Sequence, residues 1–507
     1  MTTNLALDGS EATKTLKRVT TRGALVSSGA LAISFVLRTL SMLVLARLVA
    51  PRDFGLVGMV TAVTGFLSLF RDAGLSLATV QHEQITREHL STLFWVNCAL
   101  GCGLALLSAG LAPLLVAFYH EPTLLPITIL LGTTFIFFGA AAQHRALLQR
   151  RMRFVKIALI DTISLAVSIV AAVIMAKAGY GYWALVTLTV APAALAMGGT
   201  WFTEPWLPGL PGHLSTVRAM LRFGGAVSLN SVLAYLAYNT DKILLGRFWG
   251  ADVLGIYGRA YQLVNIPTEN LNTTLGLVAF PALSRLQNDP SRLRPYFLKG
   301  YRLFLILSMP ITVVFMMFAD DIILVLLGPK WREAAGIFRL LAPTIIVFGL
   351  INPLFWLLLA TGQVKRSLKM AVVIAPVVMA GCALGLSRGP RGVAAAFSIT
   401  MLSLTMPFLL WATHGMVINW KDMLSAAIPP LASVMASVLV CTIANGFFAE
   451  AANPVLRLLI STTAFLTIYL LVLLFVMKQT TLFQSVLREL GLWPLTPFKR
   501  LSGARFM

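Results

Sequence analysis

The chain has 507 residues, of which 58% are hydrophobic and only 12% are charged. Together with a mean hydropathy of +0.84, this composition excludes a string of soluble domains and predicts a membrane protein. The net charge is +21, from 40 Lys and Arg against 19 Asp and Glu. Because these basic residues are spread over short predicted loops without a basic run, we expect anionic membrane lipids as partners and no nucleic acid.

Apolar runs recur along the chain at the length that a bilayer requires, about 20 residues per helix. They predict an all-α polytopic membrane protein with about fourteen transmembrane helices: two six-helix lobes in parallel repeat plus two C-terminal helices. The expected spans are 24–46, 54–79, 92–118, 124–148, 155–178, 182–201, 223–245, 255–282, 303–326, 334–359, 368–386, 393–412, 424–446 and 455–477.

The same pattern predicts how the chain is divided and oriented. The expected segments are a cytoplasmic N-tail (1–22), an N-lobe (23–201), a cytoplasmic linker (202–222), a C-lobe (223–415), helices 13 and 14 (416–477) and a cytoplasmic C-tail (478–507). Most Lys and Arg lie in the tails and the even-numbered loops, so the positive-inside rule predicts both termini in the cytoplasm. The polar N-tail is expected to be a cytosolic tail and not a cleaved leader.

The residue types that usually carry catalysis or hold metals are not arranged for either purpose. The four Cys lie inside apolar runs, and the six His lie at predicted helix ends or loops without metal-ligand spacing. There is no Gly-rich phosphate loop, and the predicted loops are too short for the positioned acids of a membrane glycosyltransferase. We therefore expect no metal, no cofactor and no enzymatic activity.

An internal repeat emerges when the chain is shifted against itself by 200 residues. In both copies an apolar helix ends in a short basic turn, and a glycine-containing start to the next helix follows. Span 1 thus corresponds to span 7, and both lobes begin in the cytoplasm, as in transporters built from parallel repeats. The aligned pairs are Arg22 and Arg222, Leu45 and Leu245, Arg47 and Arg247, Gly55 and Gly255, and Gly58 and Gly258.

An ordered series of motifs resembles a known family. The motifs are 46–56 (ARLVAPRDFGL), 72–75 (DAGL), 90–97 (LSTLFWVN), 179–185 (GYGYWAL), 239–242 (NTDK) with Gly246 and Arg247, and 328–331 (GPKW). In this order they resemble the polysaccharide transporter family, the O-antigen and exopolysaccharide flippases of the multidrug/oligosaccharidyl-lipid/polysaccharide exporter superfamily. The resemblance covers most of the chain.

That resemblance implies a fourteen-helix, two-lobed fold in the bacterial inner membrane. It also implies transport of undecaprenyl-pyrophosphate-linked oligosaccharide to the periplasmic leaflet by alternating access, with a polysaccharide polymerase and a chain-length regulator as candidate partners. The alternative is an ion-coupled drug or metabolite antiporter of the multidrug and toxin extrusion type. The candidate cavity residues are net cationic, which favours the flippase because its substrate is an anion.

Several basic residues fall inside predicted spans, among them Arg38, Arg71, Lys242, Arg259 and Arg339; a Lys or Arg at mid-bilayer costs ~2.5 to 3.5 kcal/mol and usually has a function. Arg38, Arg71, Lys242 and Arg259 are predicted to form a cationic cavity wall that binds pyrophosphate and acidic sugars through forked guanidinium groups. For Arg259 and Arg339 the favoured interpretation is that the long side chain extends to the membrane interface.

Acidic residues in the spans leave a second interpretation open. Arg38 would pair with Asp241, and Lys242 with Asp72, so that the charges join the lobes without touching substrate. Both interpretations hold together if the pairs exchange while one lobe rocks against the other.

Glu269 lies near the middle of the predicted eighth span, beside Asn265 and two further Asn. It is a candidate proton or sodium coupling site, although a structural carboxylate bonded by these amides is favoured. Asp161, close to the basic turn after span 4, is expected to pair with Lys156 or Arg153.

Overall fold

The structure is a computed structural model that describes residues 9–71, 79, 86–212, 218–448, 453–480 and 484. Within these ranges the chain is almost wholly helical and has no β-strand. We number its α-helices α1 (Gly9–Leu48), α2 (Pro51–Ser68), α3 (Arg87–Tyr119), α4 (Leu124–Arg150), α5 (Phe154–Lys177), α6 (Tyr182–Thr203), α7 (Arg218–Leu286), α8 (Pro290–Met317), α9 (Ala319–Leu326), α10 (Ala334–Leu341), α11 (Thr344–Ala360), α12 (Val364–Gly385), α13 (Gly389–Thr413), α14 (Trp420–Phe448) and α15 (Pro454–Leu471).

Short helical turns complete the described chain. They are 3-10 turns at Pro329–Trp331 and Leu386–Arg388, and a π-helical turn at Val472–Val476 that continues α15. Among the described residues, ten helical stretches are long and apolar enough to cross a membrane, two of which combine neighbouring helices (Ala334–Ala360 and Val364–Thr413). This confirms the all-α polytopic class, whereas the number of fourteen spans stays a prediction.

Local sequence signals set where the helices begin. Pro51 takes the first position of α2, where its missing N–H would have no partner, and Ala50 before it is extended (φ −76°, ψ 152°). Thr86 caps α3, because its hydroxyl accepts the backbone N–H of His89 at 3.2 Å. Asn453 caps α15 in the same way, accepting a backbone N–H at 2.9 Å. These residues therefore mark where three of the apolar helices begin.

Helix α7 is two helices that meet at a glycine. The backbone of Gly250 has φ 82° and ψ −178°, a conformation that side chains with a Cβ rarely adopt. The break lies in the loop predicted between spans 7 and 8, so the two predicted spans correspond to the two halves of α7.

The chain forms two compact units. Unit 1 comprises Met1–Ala260, Leu326–Ile337 and Ala371–Phe397, and unit 2 comprises Tyr261–Val325, Phe338–Met370 and Ser398–Met507. The predicted division into an N-lobe (23–201), a linker (202–222) and a C-lobe (223–415) stays a prediction.

Within unit 1, the start of α2 crosses the start of the second half of α7 at two glycines. A Cβ on Gly55 would lie 1.7 Å from the carbonyl oxygen of Ala251, and a Cβ on Gly255 would lie 1.9 Å from the carbonyl oxygen of Pro51. Only glycine allows two backbones to approach this closely. The 200-residue shift aligns positions 51 and 55 with 251 and 255, so the repeat positions contact each other reciprocally, as across a two-fold axis.

Residues 204–212, which we call the strap, are held against α3 by hydrogen bonds. The Gly209 N–H donates to the Ser91 hydroxyl at 2.9 Å, and the Gly209 carbonyl accepts the indole N–H of Trp95 at 2.9 Å. The Gly212 N–H donates to the Thr92 hydroxyl at 2.8 Å. The motif 90–97 therefore fixes the described part of the predicted linker.

The other end of the strap is held by charge and by aromatic packing. Glu204, which is 3% exposed, accepts hydrogen bonds from Arg151 and from Arg153, the latter at 3.3 Å. A ring nitrogen of His144 lies 3.0 Å from the carbonyl oxygen of Trp206. The strap thus links the turn between α4 and α5 to the helices that precede it.

Candidate functional site

In unit 1, motifs that are far apart in the sequence meet around one tryptophan. Gly328, with φ 96°, starts the turn that directs Trp331 into the protein, where it is fully buried. The Trp331 indole N–H donates to the carbonyl oxygen of Ala46 at 2.8 Å. Its ring packs edge-on against Phe54, with 5.5 Å between the centroids. The motifs 46–56 and 328–331 therefore form one structural element, which we call the motif corner.

The motif 179–185 meets the same segment at Asp53. A Cβ on Gly181 would lie 3.1 Å from an oxygen of the Asp53 carboxylate, and Gly181 has φ 50°. The glycine therefore leaves space for the carboxylate at the start of α6, where the backbone N–H groups lack partners within the helix. Anions are favoured at such a helix start.

The motif 239–242 places a buried carboxylate in α7. Asp241 is 1% exposed, and it accepts hydrogen bonds from the Tyr257 hydroxyl at 2.7 Å and from the Lys242 N–H at 2.8 Å. The ammonium of Lys242 donates to the side-chain carbonyl of Asn239 at 2.9 Å. Tyr257 lies on the second half of α7, so this network joins the two halves across the Gly250 break.

Arg259 lies one turn beyond the Gly55 crossing and faces the motif corner. The carbon atom of its guanidinium group lies 4.3 Å from the centroid of the Phe54 ring, a cation–π contact. Its Nε is buried and has no hydrogen-bond partner, and no carboxylate of the described residues pairs with it. A guanidinium group held on an aromatic ring without an acid can take an anionic ligand.

The other predicted cavity cations have different surroundings. Arg38, on α1, is exposed, and its side chain makes no ion pair with the described residues. Arg71 is exposed just beyond α2 and lies over the ring of Phe138, 4.2 Å from its centroid. The predicted ion pair between Arg38 and Asp241 is not observed, and the hydrogen bonds of Asp241 are formed within α7.

The remaining acidic predictions have mixed outcomes. Glu269 belongs to unit 2, is exposed, and accepts a hydrogen bond from the Asn265 amide, as expected for a structural carboxylate. The expected partner of Asp161 is wrong: Arg145 of α4 binds it with two hydrogen bonds of 2.7 Å. Asp72 lies outside the described residues, so its predicted pairing with Lys242 stays a prediction.

Arg339 in unit 2 is held near a helix end. It donates to the carboxylate of Asp320 at 2.5 Å and to the carbonyl oxygen of Met316 at 3.1 Å. This is a surface ion pair, with both side chains partly exposed.

Sequence reasoning missed the aromatic residues that position the charges. Phe54 carries the guanidinium of Arg259, Tyr257 donates to Asp241, and Trp331 closes the motif corner. Two of them, Phe54 and Trp331, stand in the motifs that carry the family resemblance. The presence of Phe54 and Trp331 in these motifs was the feature of the sequence that could have indicated their importance, but the sequence does not show that the two side chains are in contact. Among the described residues no group of three or more His, Cys, Asp or Glu could hold a metal ion.

Taken together, an all-α polytopic fold with cationic side chains and a buried carboxylate in its apolar helices is typical of a membrane transporter. A solved structure titled "Lipid II flippase MurJ, inward closed conformation" matches this fold with a TM-score of 0.71. The match covers 92% of this chain and 100% of that chain at 15% identity, so it concerns the fold.

Residues 44–336 match the family described as "Polysaccharide biosynthesis protein", and the chain belongs to this family. Two relatives of known context are similar along most of its length. The lipopolysaccharide biosynthesis protein WzxC of Escherichia coli (strain K12) is 27% identical over 76% of this chain and 79% of its own. The succinoglycan biosynthesis transport protein ExoT of Rhizobium meliloti (strain 1021) is 25% identical over 87% of this chain and 90% of its own.

Proposed function

We propose that the protein is a flippase that moves undecaprenyl-pyrophosphate-linked oligosaccharide across the bacterial inner membrane by alternating access. The product serves the synthesis of exopolysaccharide, capsule or lipopolysaccharide O-antigen. Membership of the polysaccharide biosynthesis family, a relative named as a transport protein and the fold shared with a lipid II flippase support this proposal. The polymerase and chain-length regulator are proposed partners that receive the transported unit.

The observation that carries the proposal is cationic charge without acidic partners. Arg259 is stacked on Phe54 with its Nε unbonded, and Arg38 makes no ion pair with the described residues. An unpaired Arg in an apolar span costs ~2.5 to 3.5 kcal/mol, which an anionic ligand offsets when it binds. A pyrophosphate offers several oxygens that a guanidinium fork can bind in pairs.

Arg259 and Arg38 are therefore proposed to contact the pyrophosphate, with Arg71 and Lys242 lining the same path. In this proposal Asp241 has a different role. Its buried carboxylate is satisfied by the Tyr257 hydroxyl and a backbone N–H, so it holds the two halves of α7 together. Glu269 is proposed as a structural carboxylate.

The proposed orientation places both termini and the basic turn between α4 and α5 in the cytoplasm. This turn carries Arg150, Arg151 and Arg153, as the positive-inside rule requires of a cytoplasmic loop. In this proposal the substrate approaches from the cytoplasmic side, so the same surface would meet it first.

A proteoliposome assay tests the proposal. Purified protein is reconstituted with a labelled undecaprenyl-pyrophosphate oligosaccharide, and the fraction of label that an external impermeant reagent can reach is followed over time. Arg259→Ala and Arg38→Ala should each slow translocation about tenfold or more, the value of a lost charge-assisted hydrogen bond. Arg259→Lys should recover only part of the rate, because an ammonium group has no fork. Lys365→Ala, an exposed basic residue at the start of α12, is the matched control and should translocate normally.

Two outcomes contradict the proposal. If wild-type protein does not accelerate translocation above empty vesicles, the substrate class is wrong. If it instead exports a cationic dye such as ethidium against an imposed proton or sodium gradient, the alternative of a multidrug antiporter is correct. Thermal stability of every variant is measured in parallel, so that a loss of folded protein is not counted as a loss of transport.

A further inference from the structure

A groove on the surface of unit 1 runs between α5 and α6. Its volume is about 530 Å³, within the ~300 to 1,000 Å³ of clefts that hold small molecules. Leu159, Ile163 and Val167 line it from α5, and all three side chains are about half exposed. Leu195 and Phe202 line it from α6. None of these residues takes part in the charged site described above.

The groove has its one charged group at one end, and its lining further along is apolar apart from Ser164. Lys156, near the start of α5, and Thr203, at the end of α6, line the same end because the two helices run in opposite directions. Lys156 and Val167 lie about 16 Å apart along α5 at ~1.5 Å per residue. The groove therefore has a head of hydrogen-bonding groups and an apolar trough about as long as most of one fatty acyl chain.

The charge of Lys156 is not neutralised within the part of the chain that the structure describes. The carboxylates that could have bound it are occupied: Asp161 is bound by Arg145, and Glu204 by the two arginines of the α4–α5 turn. Lys156 itself is exposed. Two guanidinium groups on one carboxylate leave this turn with an excess positive charge, and Lys156 adds to it.

We propose that this groove binds one anionic phospholipid of the surrounding membrane. One acyl chain lies along Leu159, Ile163 and Val167, and the phosphate binds Lys156. The positive end complements a phosphodiester, whereas a headgroup of zero net charge gains less from the same contact. The site is separate from the proposed translocation path and depends only on the protein lying in a membrane.

Native mass spectrometry of the full-length protein in detergent tests the site. The protein is titrated with phosphatidylglycerol or with phosphatidylcholine of the same acyl chains, and the one-lipid adduct is quantified at low lipid ratios. Wild type should favour phosphatidylglycerol. Lys156→Glu should lower its apparent affinity about tenfold and remove the headgroup preference, whereas Lys156→Arg should keep it.

Ile163→Trp fills the trough and should weaken binding of both lipids. Each variant has a matched control: Ile174→Trp is exposed on the same helix outside the groove, and Lys365→Glu reverses an exposed charge at the start of another helix. Both controls should bind like wild type. Lys156 is exposed, so its substitution tests the site even if the tryptophan variant does not fold.

The proposal is overturned if Lys156→Glu and Lys365→Glu reduce the adduct equally, because the attraction is then a general surface effect. It is also overturned if an undecaprenyl phosphate displaces phosphatidylglycerol from wild type but not from Lys156→Glu, since the groove would then hold the substrate lipid. Neither outcome changes the translocation assay, so failure of this site and failure of the proposed function are distinguishable.

Discussion

The glycine crossing in unit 1 predicts that alanine substitutions there destabilise the protein, and interatomic distances give the direction of the effect. In Gly55→Ala, the new Cβ would lie 1.7 Å from the Ala251 carbonyl oxygen, and contacts of Cβ below 3.0 Å are essentially never found. The backbones of α2 and α7 must therefore separate by more than about 1 Å. Because the obstacle is backbone, no side-chain rotation relieves it, and overpacking of this kind costs ~1 to 3 kcal/mol or more.

The matched control lies one turn further along the same helix. In Gly58→Ala the nearest atom is a methyl group of Leu254 at 3.6 Å, an ordinary contact. Here the substitution acts only through helix propensity, which favours Ala over Gly by up to ~1 kcal/mol. Gly255→Ala and Gly258→Ala repeat the comparison in α7, with the Pro51 carbonyl 1.9 Å from the first Cβ and open space around the second.

Thermal unfolding of the purified protein in detergent measures these effects. Gly55→Ala and Gly255→Ala should each lower the apparent Tm by several degrees, whereas both controls should leave it unchanged or raise it. The double variant Gly55→Ala/Gly255→Ala should cost less than the sum, because the first substitution already separates the same backbones. Equal shifts for Gly55→Ala and Gly58→Ala would refute the crossing.

Three further predictions concern other parts of the molecule. A reporter active only in the cytoplasm should be active when fused after Arg151 and silent after Ser387; the reverse result would invert the proposed orientation. Glu204→Gln should lower the free energy of unfolding, because the buried carboxylate loses its charge and its ion pairs. The loss should be only about 1 to 2 kcal/mol, because the two guanidinium groups are half exposed and partly screened by solvent; an unchanged Tm would contradict a fixed strap. Trp331→Phe keeps a phenyl ring but removes the pyrrole ring and its 2.8 Å hydrogen bond to the Ala46 carbonyl, so the lost bond and the small cavity together should lower the free energy of unfolding by ~1 to 3 kcal/mol; a Tm equal to wild type would contradict the buried contacts of Trp331.

The sequence predicted the all-α membrane class and the family because both depend on patterns along the chain. A break between spans 7 and 8 and the repeat of Gly55 at Gly255 were also visible in the sequence, whereas the glycine at which the helix breaks, Gly250, was not singled out. Contacts between residues that are far apart in the sequence could not be predicted. Trp331 and Ala46 are 285 positions apart, and no periodicity links an indole to one particular carbonyl.

The pairing of Asp161 shows the same limit at short range. Lys156 and Arg153 are its nearest basic neighbours in sequence, yet Arg145 from the antiparallel α4 binds it. The residue nearest in sequence is therefore not the partner. The guanidinium group of Arg145, on the neighbouring helix, donates to both carboxylate oxygens of Asp161 at 2.7 Å, and such a paired contact fixes both side chains. The sequence placed Arg38 and Arg259 in apolar helices, whereas the ring of Phe54 against Arg259 could not be predicted.

The reciprocal glycine contact also bears on how such a chain could arise. Contacts in which position i of one copy touches position j of the other, and the reverse, are those of a symmetric homodimer. In a homodimer of half-length chains, one glycine codon would encode the residue on both sides of the contact, so a single mutation would change both sides. A fused chain encodes each side separately, so the halves can diverge. The halves differ here: a Cβ on Gly58 would contact Leu254, whereas a Cβ on its counterpart Gly258 would meet open space. The same holds for Arg259, whose counterpart 200 positions earlier is the apolar Met59, so the charge beside the crossing is present in one copy and not in the other.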